Sequence, residues 1–475
     1  MKKLLLLSFL FLGLACAHGQ NFISKVWQDT METRIYGTAV DFGGLTDSLR
    51  MDISYPKNDN APAGSRPLML LIHGGAFSSG SRTDGNIVGM RRDFAQRGYV
   101  TAAIDYRLGM FQSSANPAPH CNVPAAFGEW DCTNQTDTLE WIRAWYRGIQ
   151  DAHGALRYLM NNAAYFKINP NKVFVVGESA GAFIALGVGF MDHPSEIPYG
   201  VGALPNVLAP NSIYDQGCVQ KLHWAPNIAS LNLARPNLGS YLGTMNPSST
   251  PYRILGVGDF YGATFNNLFN AYANNAQIPC LYMFHRSNDI LVPGNRQKML
   301  SKYSICTGST FGCAPIINRP YVSGSWDIKA TINQRAAQNL PRPQYMAELL
   351  TFNLECDWWS HQIDNYGLRT GNMATFFAPR VLAAQKTDNA TMQVPVEADI
   401  LLYPNPTSGE FNVTLPEGLD PKSVAVVDLM GKSVYEAPIS SQSFSIELPH
   451  GTSAGIYLVR LNTVQGTFIR RVVLR

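Results

Sequence analysis

The stretch Val175 to Gly181, which reads V-V-G-E-S-A-G, constrains the fold more than any other part of the chain. A β-branched, apolar run from Asn171 to Val176 precedes it, as in a buried parallel strand, and the small apolar residues from Ala180 to Leu186 suit a buried helix. G-x-S-x-G alone is a weak signal in a chain with 40 glycines. With this context it predicts a sharp strand-to-helix turn with Ser179 at its tip, as a candidate nucleophile.

Length and charge bound the domain count and the partners. A chain of 475 residues predicts two domains. The 37 basic and 34 acidic residues give a net charge of only +3 with no long run of one sign. We therefore expect no nucleic-acid partner and a small or neutral substrate.

The N-terminus has the pattern of a secretory signal peptide. A short positive region, Met1 to Lys3, precedes an apolar run from Leu4 to Leu14 that is too short to cross a bilayer. Small residues at Ala17 and Gly19 offer cleavage sites, so residues 1–19 are predicted to be removed.

A lipoprotein is the alternative reading of the same segment. It would acylate Cys16, but Gly13 stands three residues earlier, where a large aliphatic residue is expected. No later segment reaches the roughly 18 uninterrupted apolar residues of a membrane helix, so no transmembrane segment is predicted in the mature protein.

The cysteines predict disulfides because export permits them. Cys121 with Cys132, and Cys306 with Cys313, are close in sequence and lie in loop-like stretches, which favours local pairing. Three cysteines of the mature chain then remain, Cys218, Cys280 and Cys356. Because their number is odd, at least one of them is expected to be a free thiol. No pair has the C-x-x-C spacing of a zinc site, and we expect neither a metal nor a cofactor.

Residues 21–386 alternate apolar runs with helical patterns, which predicts an α/β domain with a mostly parallel sheet flanked by helices. Residues 194–250 break this rhythm and are predicted to form a cap insertion over the site. The strand candidates are Pro67–Ile72, Tyr99–Ile104, Val173–Val176, Arg253–Phe260, Pro279–Phe284 and Glu348–Phe352, and the helix candidates are Gln150–Met160 and Thr370–Gln385.

The pattern of apolar and polar residues changes after Lys386. Residues 387–398 are predicted to be a linker, and residues 399–475 carry short alternating runs separated by turn residues. That pattern predicts a small all-β sandwich.

Candidate partners for Ser179 follow it along the chain, an aspartate first and then a histidine, each after a later predicted strand. Asp289 follows the strand Pro279–Phe284 and precedes a helix expected near Gly294. His361 follows the last strand and is the candidate general base, with Asp289 as the acid that orients it.

An oxyanion hole is predicted from backbone amides. The segment after the strand Pro67–Ile72 reads H-G-G-A-F and offers the N–H groups of Gly75 and Ala76. Together with the amide of Ala180 they could hold a tetrahedral oxyanion.

Other residues compete for these roles. Asp289 could be a helix-capping or turn residue, and Asp357 and Asp364 are rival acids. Glu178 points away from its neighbour on a tight turn, which favours a structural role.

His285 and His73 suit the orientation of their loops, and His73 is predicted to hydrogen-bond within its own loop. Trp358 and Trp359 either line an acyl pocket or pack in the ordinary way.

Four segments together resemble the carboxylesterase/lipase branch of the α/β-hydrolases, over roughly residues 30 to 385. They are H-G-G-A-F from His73, D-Y-R-L from Asp105, G-E-S-A-G from Gly177 and D-I-L-V-P from Asp289. The family often has a third glycine where Ala76 stands, so its methyl group is expected to narrow the pocket. The resemblance implies an acyl-enzyme mechanism with Ser179, Asp289 and His361 as the triad.

The C-terminal domain resembles the sorting domain of type IX secretion in the Bacteroidetes. The resemblance rests on Y-P-N-P-T-S-G from Tyr403, G-I-Y-L-V from Gly455 and the terminal R-R-V-V-L from Arg470. It implies passage through the periplasm, recognition by the secretion machinery, and a final location outside the cell or on the outer-membrane surface. Composition alone leaves a carbohydrate-binding module as the alternative.

These observations predict a secreted serine esterase that acts on carboxylic esters, with polysaccharide-linked acetyl or feruloyl groups as candidate substrates. Two alternatives stay open: a serine peptidase of the same fold, and a catalytically inactive hydrolase-fold binding or adhesion protein. Acyl and alcohol specificity is expected to depend on the insertion 194–250.

Overall fold

A computed structural model describes most of the chain. The described residues are 22–42, 44–110, 138–205, 234–272, 278–307, 319–386, 400–415, 420–428, 432–463 and 467–475. The chain divides into two compact units, Met1–Lys386 and Thr387–Arg475. The predicted signal peptide and linker, together with Cys121, Cys132, Cys218 and Cys313, lie outside the described residues.

The first unit alternates strands and helices along the chain. Its strands are β1 (Asp29–Val40), β2 (Thr46–Pro56), β3 (Arg66–Ile72), β4 (Val100–Ile104), β5 (Ile168–Glu178), β6 (Ile254–Phe260), β7 (Ala263–Thr264), β8 (Cys280–Arg286), β9 (Arg296–Lys298), β10 (Tyr321–Gly324) and β11 (Tyr345–Leu350). Its α-helices are α1 (Gly85–Gln96), α2 (Thr138–Asn161), α3 (Ala163–Phe166), α4 (Ala180–Phe190), α5 (Ser301–Thr307), α6 (Ser325–Ala337) and α7 (Tyr366–Lys386).

Eight of these strands form one sheet in the order β1-β2-β4-β3-β5-β6-β8-β11. The pairings from β4 through β11 are parallel, whereas β1 pairs with β2, and β2 with β4, in antiparallel fashion. The predicted α/β class and all six predicted strands are confirmed. The antiparallel edge formed by β1 and β2 was not predicted.

Strand β3 shows why the sheet lies in the middle of the unit. Every residue from Arg66 to Ile72 is buried. Alternate side chains point to opposite faces, so Leu70 joins the core cluster that includes α2 and α4. Leu71 joins the cluster that includes α1 and α7. Helices therefore cover both faces, as a parallel sheet requires.

The described parts of the segment 194–250 lie against α2 and β1. Gln150 on α2 donates to the carbonyls of Leu238 and Ser240, at 2.6 and 2.8 Å. Asn246 donates to the carbonyl of Tyr36 on β1, at 2.6 Å. Residues 206–233 of the predicted cap lie outside the described residues.

The second unit is built from antiparallel strands. They are β12 (Leu401–Tyr403), β13 (Glu410–Thr414), β14 (Pro421–Val427), β15 (Ser433–Pro438), β16 (Ser443–Glu447), β17 (Gly455–Thr463) and β18 (Thr467–Leu474). They form two sheets, β12-β13-β16 and β15-β14-β17-β18. Phe411 from the first sheet and Val459 from the second belong to one buried cluster, which confirms the predicted all-β class.

Candidate active site

The predicted site residues follow the carboxyl ends of parallel strands. Ser179 comes directly after β5, Asp289 three residues after β8, and His361 on the loop after β11. The Gly75 loop follows β3. Because β3, β5, β8 and β11 run in the same direction in one sheet, these loops meet at the same edge, where open α/β sheets bind ligands.

The turn at Ser179 is strained and tightly packed. Ser179 has φ 52° and ψ −124°, outside the regions that ordinary residues favour. A Cβ at Gly177 would lie 2.1 Å from the carbonyl oxygen of Gly181, and one at Gly181 would lie 2.1 Å from that of Ile72. Only glycine fits at these two positions, which explains the G-x-S-x-G pattern.

The structure brings Ser179, His361 and Asp289 into one hydrogen-bonded line. Nε2 of His361 lies 2.8 Å from Oγ of Ser179, and Nδ1 lies 2.7 Å from Oδ2 of Asp289. An ionised carboxylate only accepts hydrogen bonds, so Nδ1 carries the hydrogen. Nε2 is then free to accept the hydroxyl proton of Ser179.

Asp289 is buried but richly hydrogen-bonded. Its Oδ1 accepts from the amides of Leu291 and Val292 at 2.9 and 3.0 Å. Its Oδ2 faces His361 and, at 3.3 Å, Nε2 of His285. Burial alone would raise the pKa of Asp289, but the two histidines outweigh it and hold this pKa well below its ordinary value.

Gly75, Ala76 and Ala180 line the same cavity as Ser179. Gly75 and Ala76 have φ values of 103° and 52°, and the carbonyl of Gly75 is occupied by the amides of Ser78 and Ser79. Among the described residues, no backbone-to-backbone hydrogen bond outside the helices and strands uses the amides of Gly75, Ala76 or Ala180. All three residues thus bring a backbone amide to the wall of the cavity.

The rival acids are engaged elsewhere. Asp357 forms an ion pair with Arg286 at 2.9 Å, and Asp364 forms one with Arg369 at 2.8 Å. Of the carboxylates that the sequence left open, the structure places only Asp289 beside His361.

Glu178 supports the site from the side. It accepts hydrogen bonds from the hydroxyl of Tyr261 at 2.7 Å and from Asn86 at 2.9 Å. Burial raises its pKa. The ring of Tyr261 packs edge-on against His361, with centroids 4.6 Å apart. Sequence reasoning missed Tyr261 and Asn86, since neither belongs to a recognisable motif.

His73 hydrogen-bonds within its own loop, as predicted. Its Nδ1 lies 2.7 Å from the carbonyl oxygen of Gly74, and its ring stacks on that of Tyr106. It therefore shapes the loop that presents Gly75 and Ala76.

The cavity at Ser179 has a volume of about 510 Å³ and mostly apolar walls. No described residue of the segment 194–250 lines it. Its apolar and aromatic lining residues are Ala76, Phe77, Trp141, Ala180, Phe183, Tyr261, Leu291, Val292, Met299, Leu300 and Tyr303. Five of these residues, Leu291, Val292, Met299, Leu300 and Tyr303, belong to the segment that follows Asp289.

That segment differs from its prediction. A helix was expected near Gly294, but the chain forms the short strand β9 and then α5 from Ser301. The amide of Trp326 donates to the carbonyl of Gly294 at 2.9 Å, and a Cβ at Gly294 would lie 2.4 Å from the Trp326 ring. These contacts hold the segment in an extended course.

The disulfide prediction for Cys306 was wrong. Cys306 pairs with Cys356, 50 residues away, with Cα atoms 5.4 Å apart. Cys280 is a buried free cysteine, in agreement with the expected free thiol. The disulfide links α5, which carries Tyr303 of the cavity wall, to the loop that carries His361.

The tryptophan pair does not line the acyl cavity, and Trp358 packs against a neighbouring ring, as in the second of the two predicted roles. Trp358 and Trp359 are 48% and 73% exposed and do not line the cavity. The ring of Trp358 meets Tyr303 edge-on, with centroids 5.9 Å apart. The pair thus lies outside the cavity wall to which Tyr303 belongs.

No helix within the described ranges combines the length and apolarity needed to span a membrane.

Sequence comparison places two families along the chain. The profile of the BD-FAE family matches residues 51–126 and 142–220, and that of the secretion system C-terminal sorting domain matches residues 401–475. Fumonisin B1 esterase of Sphingopyxis macrogoltabida is 29% identical over 199 residues, 40% of this chain and 32% of the relative. Acylcarnitine hydrolase of Rattus norvegicus is 30% identical over 217 residues, 41% of this chain and 34% of the relative. The chain spans about a third of the length of these relatives.

Solved structures are similar at lower identity. Apo Thermogutta terrifontis esterase 2 is 15% identical, with a TM-score of 0.35, and the match covers 74% of this chain and 94% of that one. An alpha/beta hydrolase from a Medee basin deep-sea metagenome library is 15% identical, with a TM-score of 0.36, over 75% of this chain and 99% of that one.

The matched families, the parallel sheet and the separate β unit agree with both resemblances. A sorting domain of this type directs type IX secretion to the cell surface or the exterior. The first unit therefore has an α/β-hydrolase fold in which residues 51–126 and 142–220 match the BD-FAE family, and residues 401–475 match the secretion system C-terminal sorting domain.

Proposed function

We propose that the protein is a secreted serine esterase that hydrolyses carboxylic esters through an acyl-enzyme. One observation carries the proposal: the hydrogen-bonded line from Ser179 through His361 to Asp289, at 2.8 and 2.7 Å, opens into an apolar cavity. A nucleophile, a base and an orienting acid in this order can transfer an acyl group.

Each residue has one task in the proposed reaction. Oγ of Ser179 attacks the ester carbonyl while Nε2 of His361 takes its proton, and the imidazolium then protonates the departing alcohol. Water attacks the acyl-enzyme with the same base and releases the acid. Asp289 holds the Nδ1–H tautomer and stabilises the imidazolium.

The amides of Gly75, Ala76 and Ala180 are proposed to bind the oxyanion of both tetrahedral intermediates. Backbone donors held in a fixed turn need no reorganisation when the charge develops. The methyl group of Ala76 leaves its amide in place and occupies space at the cavity wall.

The cavity supports an ester with a sizeable apolar or aromatic group. Phe77, Trp141 and Tyr303 line it, and about 510 Å³ exceeds what an acetyl group needs. Among the polysaccharide-linked esters considered from the sequence, this favours feruloyl over acetyl groups. The names of the relatives, an esterase and an acylcarnitine hydrolase, support ester chemistry in general.

The test is the variant Ser179→Ala with matched labelling. We expect a loss of about 10⁴-fold or more in kcat on a p-nitrophenyl ester. A fluorophosphonate should label the wild type at Ser179. Ser195→Ala is the control, because Ser195 Oγ also lies 2.7 Å from a histidine, Nδ1 of His193, at an exposed position. Undiminished turnover by Ser179→Ala would refute the assignment.

A substrate panel separates the remaining possibilities. Methyl ferulate, feruloylated arabinoxylan, acetylated xylan and p-nitrophenyl acetate, butyrate and octanoate are compared by kcat/KM. Higher kcat/KM for feruloyl than for acetyl esters supports the cavity argument. Cleavage of peptides alone would indicate a peptidase, and absence of both labelling and turnover would indicate a binding protein.

A further inference from the structure

A second serine, histidine and aspartate lie behind Asp289. Nδ1 of His285 lies 2.9 Å from Oγ of Ser325, and this hydroxyl lies 3.1 Å from Oδ2 of Asp259. His285, Ser325 and Asp259 are each 0% exposed, and none of them lines the cavity at Ser179. The three come from β8, the first residue of α6, and β6.

We propose that His285, Ser325 and Asp259 are positioning residues that keep Asp289 ionised and aligned, and through it hold His361 in its reactive tautomer. This inference rests on the proposed function of Ser179, His361 and Asp289. The buried set does not touch substrate; it acts through the carboxylate that both sets share.

The hydrogen positions follow from the acceptors. Nε2 of His285 lies 3.1 Å from the carbonyl oxygen of Val292 and 3.3 Å from Oδ2 of Asp289. Neither oxygen can donate, so Nε2 must carry the hydrogen. This N–H donates to the carbonyl oxygen of Val292 and also lies 3.3 Å from Oδ2 of Asp289, so its positive end stabilises the ionised carboxylate in addition to the N–H of His361.

The remaining hydrogens have two arrangements of equal total charge. In one, Asp259 is ionised, Ser325 donates to it, and Nδ1–H of a cationic His285 donates to Ser325. In the other, Asp259 holds the proton and donates to Ser325, whose hydroxyl donates to Nδ1 of a neutral His285. From the first arrangement to the second, the Nδ1–H bond of His285 and the O–H bond of Ser325 break. A new O–H bond forms on Ser325 and another on Asp259, and Nε2–H of His285 faces Asp289 in both arrangements.

The environment of Asp259 supports such a shared proton. Burial raises its pKa to about 6, while His285, the amide of Gly262 and Ser325 oppose the rise. The amide of Gly262 donates to Oδ1 of Asp259 at 2.8 Å. The carboxyl group is thus held in place whether or not it carries the proton.

Other titratable groups lie around His361 and Asp289 and also affect the pH dependence of the site. Tyr261 packs on His361 from the turn after β6, and Glu178 at the end of β5 accepts the Tyr261 hydroxyl. Asp84, before α1, acts on Glu178 electrostatically. These groups remain unchanged in the variants below.

The test compares two replacements of His285. His285→Leu removes the N–H that faces Asp289, and we expect kcat to fall about 10- to 100-fold, the range for losing one polar interaction with a charged group, with little change in KM. With one donor fewer, Asp289 acts more strongly on His361, so the acid limb of kcat/KM should move to higher pH. His285→Gln restores an N–H toward Asp289 and should recover most of kcat and the wild-type acid limb.

Ser325→Ala is a second variant that tests the same proposal if a His285 variant does not fold. It breaks the link to Asp259, and we expect a smaller loss of kcat than in His285→Leu, with the same direction of shift. Ser54→Ala is the matched control, because Ser54 on β2 is another 0%-exposed serine, which accepts a hydrogen bond from Arg91 of α1. It should leave the acid limb unchanged.

A histidine NMR titration separates failure of this inference from failure of the proposed function. The pKa of His361 is followed in the full chain labelled with ¹³C-histidine, which needs no turnover. A higher His361 pKa in His285→Leu than in the wild type and His285→Gln supports the inference even in an inactive protein. An unchanged His361 pKa and acid limb, with equal losses in the Leu and Gln variants, would overturn it and leave the esterase proposal intact.

Discussion

Asp289 lies between two sets of the same residue types, one open and one sealed. On one side Ser179 and His361 border a cavity, and on the other His285 and Ser325 are completely buried. Both sets have a serine hydroxyl within 2.9 Å of an imidazole nitrogen. We therefore expect access for a substrate, rather than residue type or distance, to decide which of the two sets is reactive.

The backbone differs between the two sets. Ser179, Ala76 and Tyr261, all at the open side, have φ values of 52°, 52° and 45°. Asp259, His285 and Ser325 are not among the described residues with positive φ. Strain is thus concentrated where donors and nucleophile must face the cavity, and regular elements hold the sealed side.

The largest effect should come from the carboxylate that both sets share. Asp289→Asn should lower kcat by roughly 10⁴-fold, because an amide cannot hold His361 in the Nδ1–H tautomer. The measurement is single-turnover hydrolysis of a p-nitrophenyl ester. Asp364→Asn is the control, since Asp364 pairs only with Arg369 among the described residues. A loss below about tenfold would show that Asp289 is not the orienting acid.

The second largest effect should come from loss of the disulfide, which should affect His361 on the open side more than His285 on the sealed side. Cys306–Cys356 closes a separation of 50 residues and restrains the His361 loop. The double variant Cys306→Ser/Cys356→Ser should lose up to about 4 kcal/mol by the loop-entropy relation. Activity should then be lost at a lower temperature, and the NMR signal of His361 should broaden while that of His285 stays sharp. Equal broadening of both signals would mean that the two sides are not independent.

The two carboxylates predict opposite effects of pH on stability. The pKa of Asp259 is raised to about 6, so its contribution is present below its ordinary pKa and is lost as the pH rises through 6. The size is on the order of 3 kcal/mol. The pKa of Asp289 is lowered, so its contribution is present above its ordinary pKa and is lost as the pH falls below it.

Urea unfolding of Asp259→Asn between pH 4 and 6.5 tests the first of these contributions. The variant mimics the protonated acid, so the decrease in the free energy of unfolding with rising pH should shrink. Asp364→Asn should keep the wild-type slope. The same slope in Asp259→Asn would contradict the assigned shift.

The open side could be predicted from the sequence because each of its residues follows a strand end. Ser179, Asp289 and His361 needed only the motif and the chain order. The sealed side was missed, since Asp259 lies inside the apolar strand β6 and Ser325 begins a helix without a motif. Their meeting with His285 depends on the order of strands in the sheet, which local pattern does not contain.

Contacts between segments that are far apart in the sequence were the second feature that could not be predicted. Cys306 was assigned to Cys313 by proximity in sequence, but the fold brings the loop after β11 to α5. The course of the chain at Gly294 likewise depends on Trp326, which lies on α6, after both β9 and β10. Both errors concern the chain between Asp289 and α6, so the sequence predicted the order of Ser179, Asp289 and His361 better than it predicted the contacts of this segment.

The smallest effect concerns strain at the open side. Ala76 has φ 52°, a region that costs an L-residue about 1–2 kcal/mol and glycine nothing. Ala76→Gly relieves this cost but adds about 0.4–1 kcal/mol of chain entropy to the unfolded state. We therefore expect a net gain in stability between zero and about 1.6 kcal/mol. The amide at position 76 remains, so kcat on p-nitrophenyl butyrate should change less than about threefold, and a wider cavity should favour bulkier esters. A large loss of kcat would instead mean that the methyl group of Ala76 fixes the oxyanion loop, and that strain at the open side is needed for activity.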